Sequence, residues 1–160
     1  MRIDSKLSRM LHVLLHMARH DGAFTSEQIA CMLGTNAVVV RRTMAGLRQA
    51  GFVASSGGHG GGWSIARDLA DVSLLDVYRA VGSPRLFALG NENASPACGV
   101  ERVVNGSIDE ALDAAQAILL ARFADVSLQS LASEFDAICS ADGWPHVPPP
   151  SACKASRPVP

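Results

Sequence analysis

The sequence predicts a mostly α-helical chain with a small β-hairpin, arranged as a winged helix-turn-helix followed by a long C-terminal helix. Three observations lead there. Two short amphipathic segments between Thr25 and Ala50 are separated by Gly34-Thr35-Asn36. A glycine-rich tip, Gly57 to Gly62, then lies between two short apolar runs. Further on, Ser107 to Ala124 carries apolar residues at helical spacing among many alanines.

Each element follows from local chemistry. Thr25 and Gln28 have capping-box spacing, so a helix starts at Ser26, with Ile29, Ala30 and Leu33 on one face. Gly34 ends it, because glycine reaches the left-handed conformation of a sharp turn. Asn36 caps a second helix running to about Ala50, which Gly51 stops. On this helix Val40, Met44 and Leu47 face the core, and Arg41, Arg42 and Arg48 lie off that line. The outward residues Asn36, Val38, Val39, Arg41 and Arg42 are the candidates for DNA contact. Arginine can pair with guanine and valine can touch a thymine methyl. The competing assignment is that the arginines contact only phosphate.

Phe52-Val53 and Trp63 to Ala66 read as short strands around the glycine tip. Beside a helix-turn-helix such a hairpin is a wing, with Gly58, His59 and Gly60 positioned to approach a minor groove or the phosphates. The simpler alternative is a flexible hairpin. His59 would bind phosphate better when protonated, below about pH 6.5.

Upstream, Leu7, Met10, Leu11, Leu14, Leu15 and Ala18 mark an amphipathic first helix. His12, His16 and His20 share one of its faces, and two of them could hold a metal ion, yet no acidic or cysteine third ligand has metal-site spacing nearby, so a surface or partly buried face is expected and no metal site. After the wing, Ser73 caps a helix to about Val81, and residues 83–105 read as a loop with a short helical turn near Val100 to Val104. Ser107 then caps the longest helix, with Ile108, Leu112, Ala115, Ile118, Leu119 and Phe123 forming a stripe. A last helix starts at Ser127, with Leu128, Leu131, Phe135 and Ile138 inward. The proline-rich stretch beyond Gly143 reads as a tail.

The 160 residues suit one domain with an added assembly segment. No stretch approaches the ~18 apolar residues of a membrane span, and the N-terminus lacks a signal peptide's apolar segment, so the expected location is cytoplasmic. Cys31, Cys98, Cys139 and Cys153 are then expected as thiols, with Cys31 a structural residue in the core of the motif. The net charge of −1 conceals an asymmetry: residues 1–67 hold eight basic and three acidic residues, residues 68–160 six and twelve. The basic half carries the helix-turn-helix, the footprint of a nucleic-acid binder.

Leu47-Arg48-Gln49-Ala50-Gly51-Phe52-Val53, Gly61-Gly62-Trp63, Val72 to Val81, Cys98 and Ala124 to Leu131 together resemble the Rrf2 family of bacterial transcription regulators, over roughly residues 1–135. The resemblance implies a homodimer paired through the long helix, with Ile108, Leu112, Ala115, Ile118 and Leu119 in the dimerisation surface. It also maps base-contacting positions onto the second helix of the motif. There Arg41-Arg42 replace a Glu-Gln pair common in the family, and Gly57 replaces a usual basic residue before the wing glycines. Iron–sulfur members carry three cysteines in the loop, whereas residues 83–106 contain only Cys98. No iron–sulfur cluster or other cofactor is therefore expected. Cys98, just before a helix start, is a sensor candidate; the alternative is a buried, inert thiol.

The expected organisation is a DNA-binding domain over 1–82, a regulatory loop over 83–105, dimerisation helices over 106–140 and a tail over 141–160. The leading function is a sequence-specific, DNA-binding regulator, in the form of a homodimeric repressor on double-stranded operator DNA that responds to thiol oxidation or a small ligand. The alternative is a winged-helix module docking a partner enzyme. The chain shows no nucleophile–base pair, phosphate loop or metal cluster, which argues against an enzyme.

Overall fold

The computed structural model describes residues 5–58, 61–89 and 97–142. The order is α1 (Lys6–Met17), α2 (Ser26–Leu33), α3 (Ala37–Gln49), β1 (Val53–Ser56), β2 (Gly62–Ile65), a 3₁₀ turn (Leu69–Asp71), α4 (Leu74–Ala80), α5 (Gly99–Asp125) and α6 (Leu128–Asp142). Arg2, His59, Gly60 and the proline-rich tail lie outside the described residues.

The core gathers one face from each N-terminal element: Met10, Val13 and Leu14 of α1, Ile29 of α2, Val40, Met44 and Leu47 of α3, and Val77 of α4. Phe24 and Trp63 close it from the wing side. Their backbones pair in both directions, Phe24 N–H to the Trp63 carbonyl at 2.9 Å and Trp63 N–H to the Phe24 carbonyl at 2.8 Å. Gly62 permits this approach, since a Cβ there would lie 2.5 Å from the Phe24 carbonyl oxygen. The antiparallel hairpin pairs Val53 with Ile65 and Ser56 with Gly62. Its strands therefore extend further toward the tip than the apolar runs alone suggest.

Two elements tie the C-terminal helices to this body. Leu74 N–H donates to the Val126 carbonyl and Leu128 N–H to the Val72 carbonyl, both at 2.8 Å, which locks the start of α6 beside the start of α4. Arg19, two residues past the end of α1, then fastens α6. Its guanidinium pairs with Asp136 at 2.8 Å, donates to the Ala132 carbonyl and lies 4.6 Å over the Phe135 ring.

Three sequence expectations are corrected. The longest helix starts at Gly99 instead of Ser107. Asn105 costs under ~1 kcal/mol of helix propensity and Gly106 about 1 kcal/mol, which an otherwise continuous helix of 27 residues absorbs. The stretch 99–105 assigned to the loop is thus helical. On α6 the inward line is Leu128, Ala132 and Cys139, with Leu131 and Phe135 half-buried, while Ile138 is exposed. Cys31 is exposed on α2 and disulfide-bonded, so it is neither a core residue nor a thiol.

Candidate DNA-binding surface

The helix-turn-helix is built by its caps. Thr25 Oγ1 accepts from Gln28 N–H at 3.2 Å and Gln28 Oε1 accepts from Thr25 N–H at 2.8 Å, the reciprocal pair that starts α2. Gly34 ends it at φ +59°. Asn36 Oδ1 then accepts from Val39 N–H at 3.0 Å and starts α3. Arg9 reaches across from α1 to donate to the Leu33 carbonyl at 2.7 Å, satisfying an open carbonyl at the α2 C-terminus. Trp63 Nε1 donates to Ser26 Oγ at 3.0 Å, which pins the wing to the first turn of α2.

With Val40, Met44 and Leu47 buried, helical periodicity sets where the remaining α3 side chains point. Val38 and Arg42 are exposed and stand opposite the buried line, continued by Ala45 and Gln49. Arg41 and Arg48 lie on the flank nearest α2 and the wing. Arg48 donates to Ser55 Oγ of β1 at 3.2 Å. Arg41 pairs with Glu27 of α2 at 3.3 Å. Val39 lies on the other flank, exposed. The candidates Asn36, Val38, Val39, Arg41, Arg42 and Arg48 therefore share one solvent-facing surface but divide into a central line and two edges. Gly58 lies exposed at the wing turn and accepts from Gly61 N–H at 3.1 Å. Between α2, α3 and the wing opens a cleft of about 480 Å³ lined by residues including Thr25, Glu27, Arg41, Ser55 and Ser56. Sequence reasoning passed over Glu27, Ala45 and Gln49. Glu27 had a visible signal, as the sole acidic residue between Asp21 and Asp68.

Cys98 occupies the N-cap of α5 in extended backbone and is exposed and free. Hydrogen bonding from the backbone N–H groups of Glu101 and Val100 lowers its thiol below the ordinary value. The thiol is therefore not buried within the single chain.

The stripe predicted on α5 divides between two faces. Ile108, Leu112 and Leu119 are half-buried and share the face of Phe123, whose ring meets Tyr78 of α4 at 6.0 Å. Ala115 and Ile118 are exposed. Ile118 falls on a line with Val100, Val104, Ala111 and Ala114, all exposed, and no residue of α5 is buried in the single chain. Among the described residues no cluster of three or more His, Cys, Asp or Glu side chains could hold an ion.

The surface just described is that of a winged helix-turn-helix, and residues 3–134 match the sequence profile of Rrf2, described as an iron-dependent transcriptional regulator. The chain belongs to the Rrf2 family. YwnA of Bacillus subtilis, named as an HTH-type transcriptional regulator, is 37% identical over 130 residues, covering 81% of this chain and 96% of YwnA. A crystal structure designated a DNA-binding protein shares 33% identity at a TM-score of 0.57, covering 76% of this chain and 97% of that one. Staphylococcus aureus CymR in an oxidized form shares the fold at a TM-score of 0.61 and 17% identity, covering 82% of this chain and 96% of CymR. Like other Rrf2 proteins, the chain is a DNA-binding transcription regulator and not an enzyme. Among the described residues no helix is long and apolar enough to cross a membrane.

Proposed function

We propose that this Rrf2-family regulator acts in the cytoplasm as a homodimeric repressor, with α3 of each protomer entering one of two successive major grooves about 34 Å apart. The observation that carries the DNA-reading role is the uncovered central line of α3. Val38, Arg42 and Gln49 stand fully clear of the core beside a wing that is pinned by Trp63. Arg42 is the base reader, Val38 its apolar neighbour, Arg48 serves the phosphates or the wing edge, and Arg41 flanks the line on the α2 side.

Pairing runs through α5. A helix of 27 residues with no buried residue, and with Val100 and Ile118 more than 70% exposed, is covered by a second copy of itself. Alanines at 111 and 114 let the two helices approach closely.

Residues 83–106 offer one thiol, and no three-donor group occurs among the described residues. That donor set does not fit an iron–sulfur cluster held within this loop, since such clusters take about four ligands. Regulation instead runs through Cys98, whose exposed, acidified thiol is suited to oxidation or to attack by an electrophile. CymR, a regulator of this fold, is known in an oxidized form.

The test is an anisotropy titration of reduced protein against the DNA upstream of its own gene, with scrambled DNA and a salt series as controls. Tight, site-specific binding that weakens steeply with salt is expected. Arg42→Ala is expected to erase the preference for the operator. Retained preference in that variant overturns the assignment of Arg42 as base reader. Oxidant is expected to shift the wild-type titration and leave Cys98→Ser unchanged; an equal shift in both removes the sensor role.

A further inference from the structure

Residues 22–67 supply α2, α3 and both wing strands, and Glu27 is their single acid against four arginines. A structural reason for Glu27 exists: it stands in the first turn of α2, where negative charge complements the helix dipole. That reason would be met by a carboxylate pointing to solvent. Here the carboxylate reaches the next helix, and its Oε1 accepts from Arg41 Nη1 at 3.3 Å.

The pair is too exposed, 69% for Glu27 and 55% for Arg41, to matter much for folding. Such pairs contribute at most about 1 kcal/mol. Its consequence is direction. Helical rotation places Arg41 off the line of Val38 and Arg42, and the pair holds its guanidinium on the wall of the cleft between α2 and the wing. Any phosphate that recruits Arg41 must compete with a carboxylate already in place, and that carboxylate repels the same phosphate.

We propose that Glu27 is a specificity-determining residue of DNA recognition. By holding Arg41 against α2 it confines base reading to the Val38–Arg42 line and suppresses indiscriminate phosphate binding by Arg41. The inference rests on the DNA-reading role of α3 given above. Glu27 positions Arg41 and need not touch the duplex.

The test uses full-length wild type, Glu27→Gln, Arg41→Gln and the double variant, each shown by thermal melting to be folded. A preferred duplex is first recovered from a randomised pool with wild-type protein. Each protein is then titrated against that duplex and a scrambled one of equal length across a salt series. Glu27→Gln is expected to tighten binding to scrambled DNA about fivefold, the loss of an opposing interaction of about 1 kcal/mol. It is expected to steepen the salt slope by about 0.9, one further phosphate contact, and to lower the ratio of preferred to scrambled affinity. In the Arg41→Gln background the same change is expected to move scrambled-DNA affinity less than about twofold, within the additivity expected of uncoupled sites. Equal effects in the two backgrounds would make Glu27 an isolated charge and overturn the proposal, as would an unchanged ratio. A wild type that recovers no preferred duplex removes the base-reading surface itself, and this appears before any variant is compared.

Discussion

Gly46 offers a test in which two effects of opposite sign compete. It lies in the interior of α3, where replacing glycine with alanine ordinarily stabilises a protein by about 1 kcal/mol. In this structure a Cβ at Gly46 would collide with the carbonyl oxygen of Ala80, with the carbonyl carbon 3.5 Å away. The obstacle is backbone at the end of α4, so no side chain can swing aside. Overpacking of this kind costs about 1–3 kcal/mol, and a contact this close lies toward the upper end. Gly46→Ala is therefore expected to destabilise by about 1–2 kcal/mol net, lowering Tm by roughly 2–8 °C for a chain of this size. Gly106 in α5 is the control: a Cβ there meets nothing within 4 Å. Gly106→Ala is expected to stabilise by up to ~1 kcal/mol. Urea denaturation and thermal melting of the full chain read both. If Gly46→Ala stabilises as much as Gly106→Ala, the close crossing of α3 over α4 is wrong, and the orientation of the reading surface goes with it.

Other outcomes follow from the same geometry. Ile118→Asp puts a charge into the exposed line of α5 and is expected to convert dimer to monomer in sedimentation while leaving helix content intact; an unchanged sedimentation coefficient would move the interface elsewhere. Cys98, acidified by the Glu101 and Val100 amides, is expected to react with iodoacetamide faster at neutral pH than a free cysteine, with its pH–rate midpoint shifted down. A midpoint at or above that of the free amino acid refutes the thiolate assignment. His16 is held neutral, first by burial and then by the charges of His12 and Arg19. Its folded pKa is depressed, so the unfolded chain binds the proton more readily and stability falls as pH drops below about 6.5. His16→Gln is expected to flatten that fall in pH-dependent melting; an identical slope in the variant would locate the acid sensitivity in other groups. Ser73 caps α4 by accepting from Asp76 N–H at 3.1 Å, and Ser73→Ala is expected to cost about 1 kcal/mol in urea denaturation. A loss below a few tenths would show that the cap is dispensable.

The winged helix-turn-helix was legible because its signals are local. Thr25 with Gln28, Gly34, Asn36 and Ser73 each act on backbone groups within about four residues, and each occupies the capping position expected of it. The strand pair followed from the glycine tip, though its length did not: Ala54, Ser55 and Ser56 are exposed and carry no apolar pattern. The start of α5 was missed because Asn105-Gly106 is a weak breaker, and the outcome depended on the whole helix.

What the sequence determined by itself was the set of elements, the buried stripe of α3, the basic character of the DNA-facing half and the single thiol of residues 83–106. These depend on residue type and on periods of two or 3.6 residues. Only the tertiary structure decided what each arginine of α3 meets and which face of α5 is spare. Arg41 and Arg42 are adjacent and chemically identical, and helical rotation sets them on different lines, but only the fold brings a carboxylate from another helix to 3.3 Å from Arg41. Ile118 and Leu119 are adjacent as well, and differ because α4 packs against one side of α5 and leaves the other open. Both distinctions come from contacts between residues distant in sequence, which no local pattern encodes.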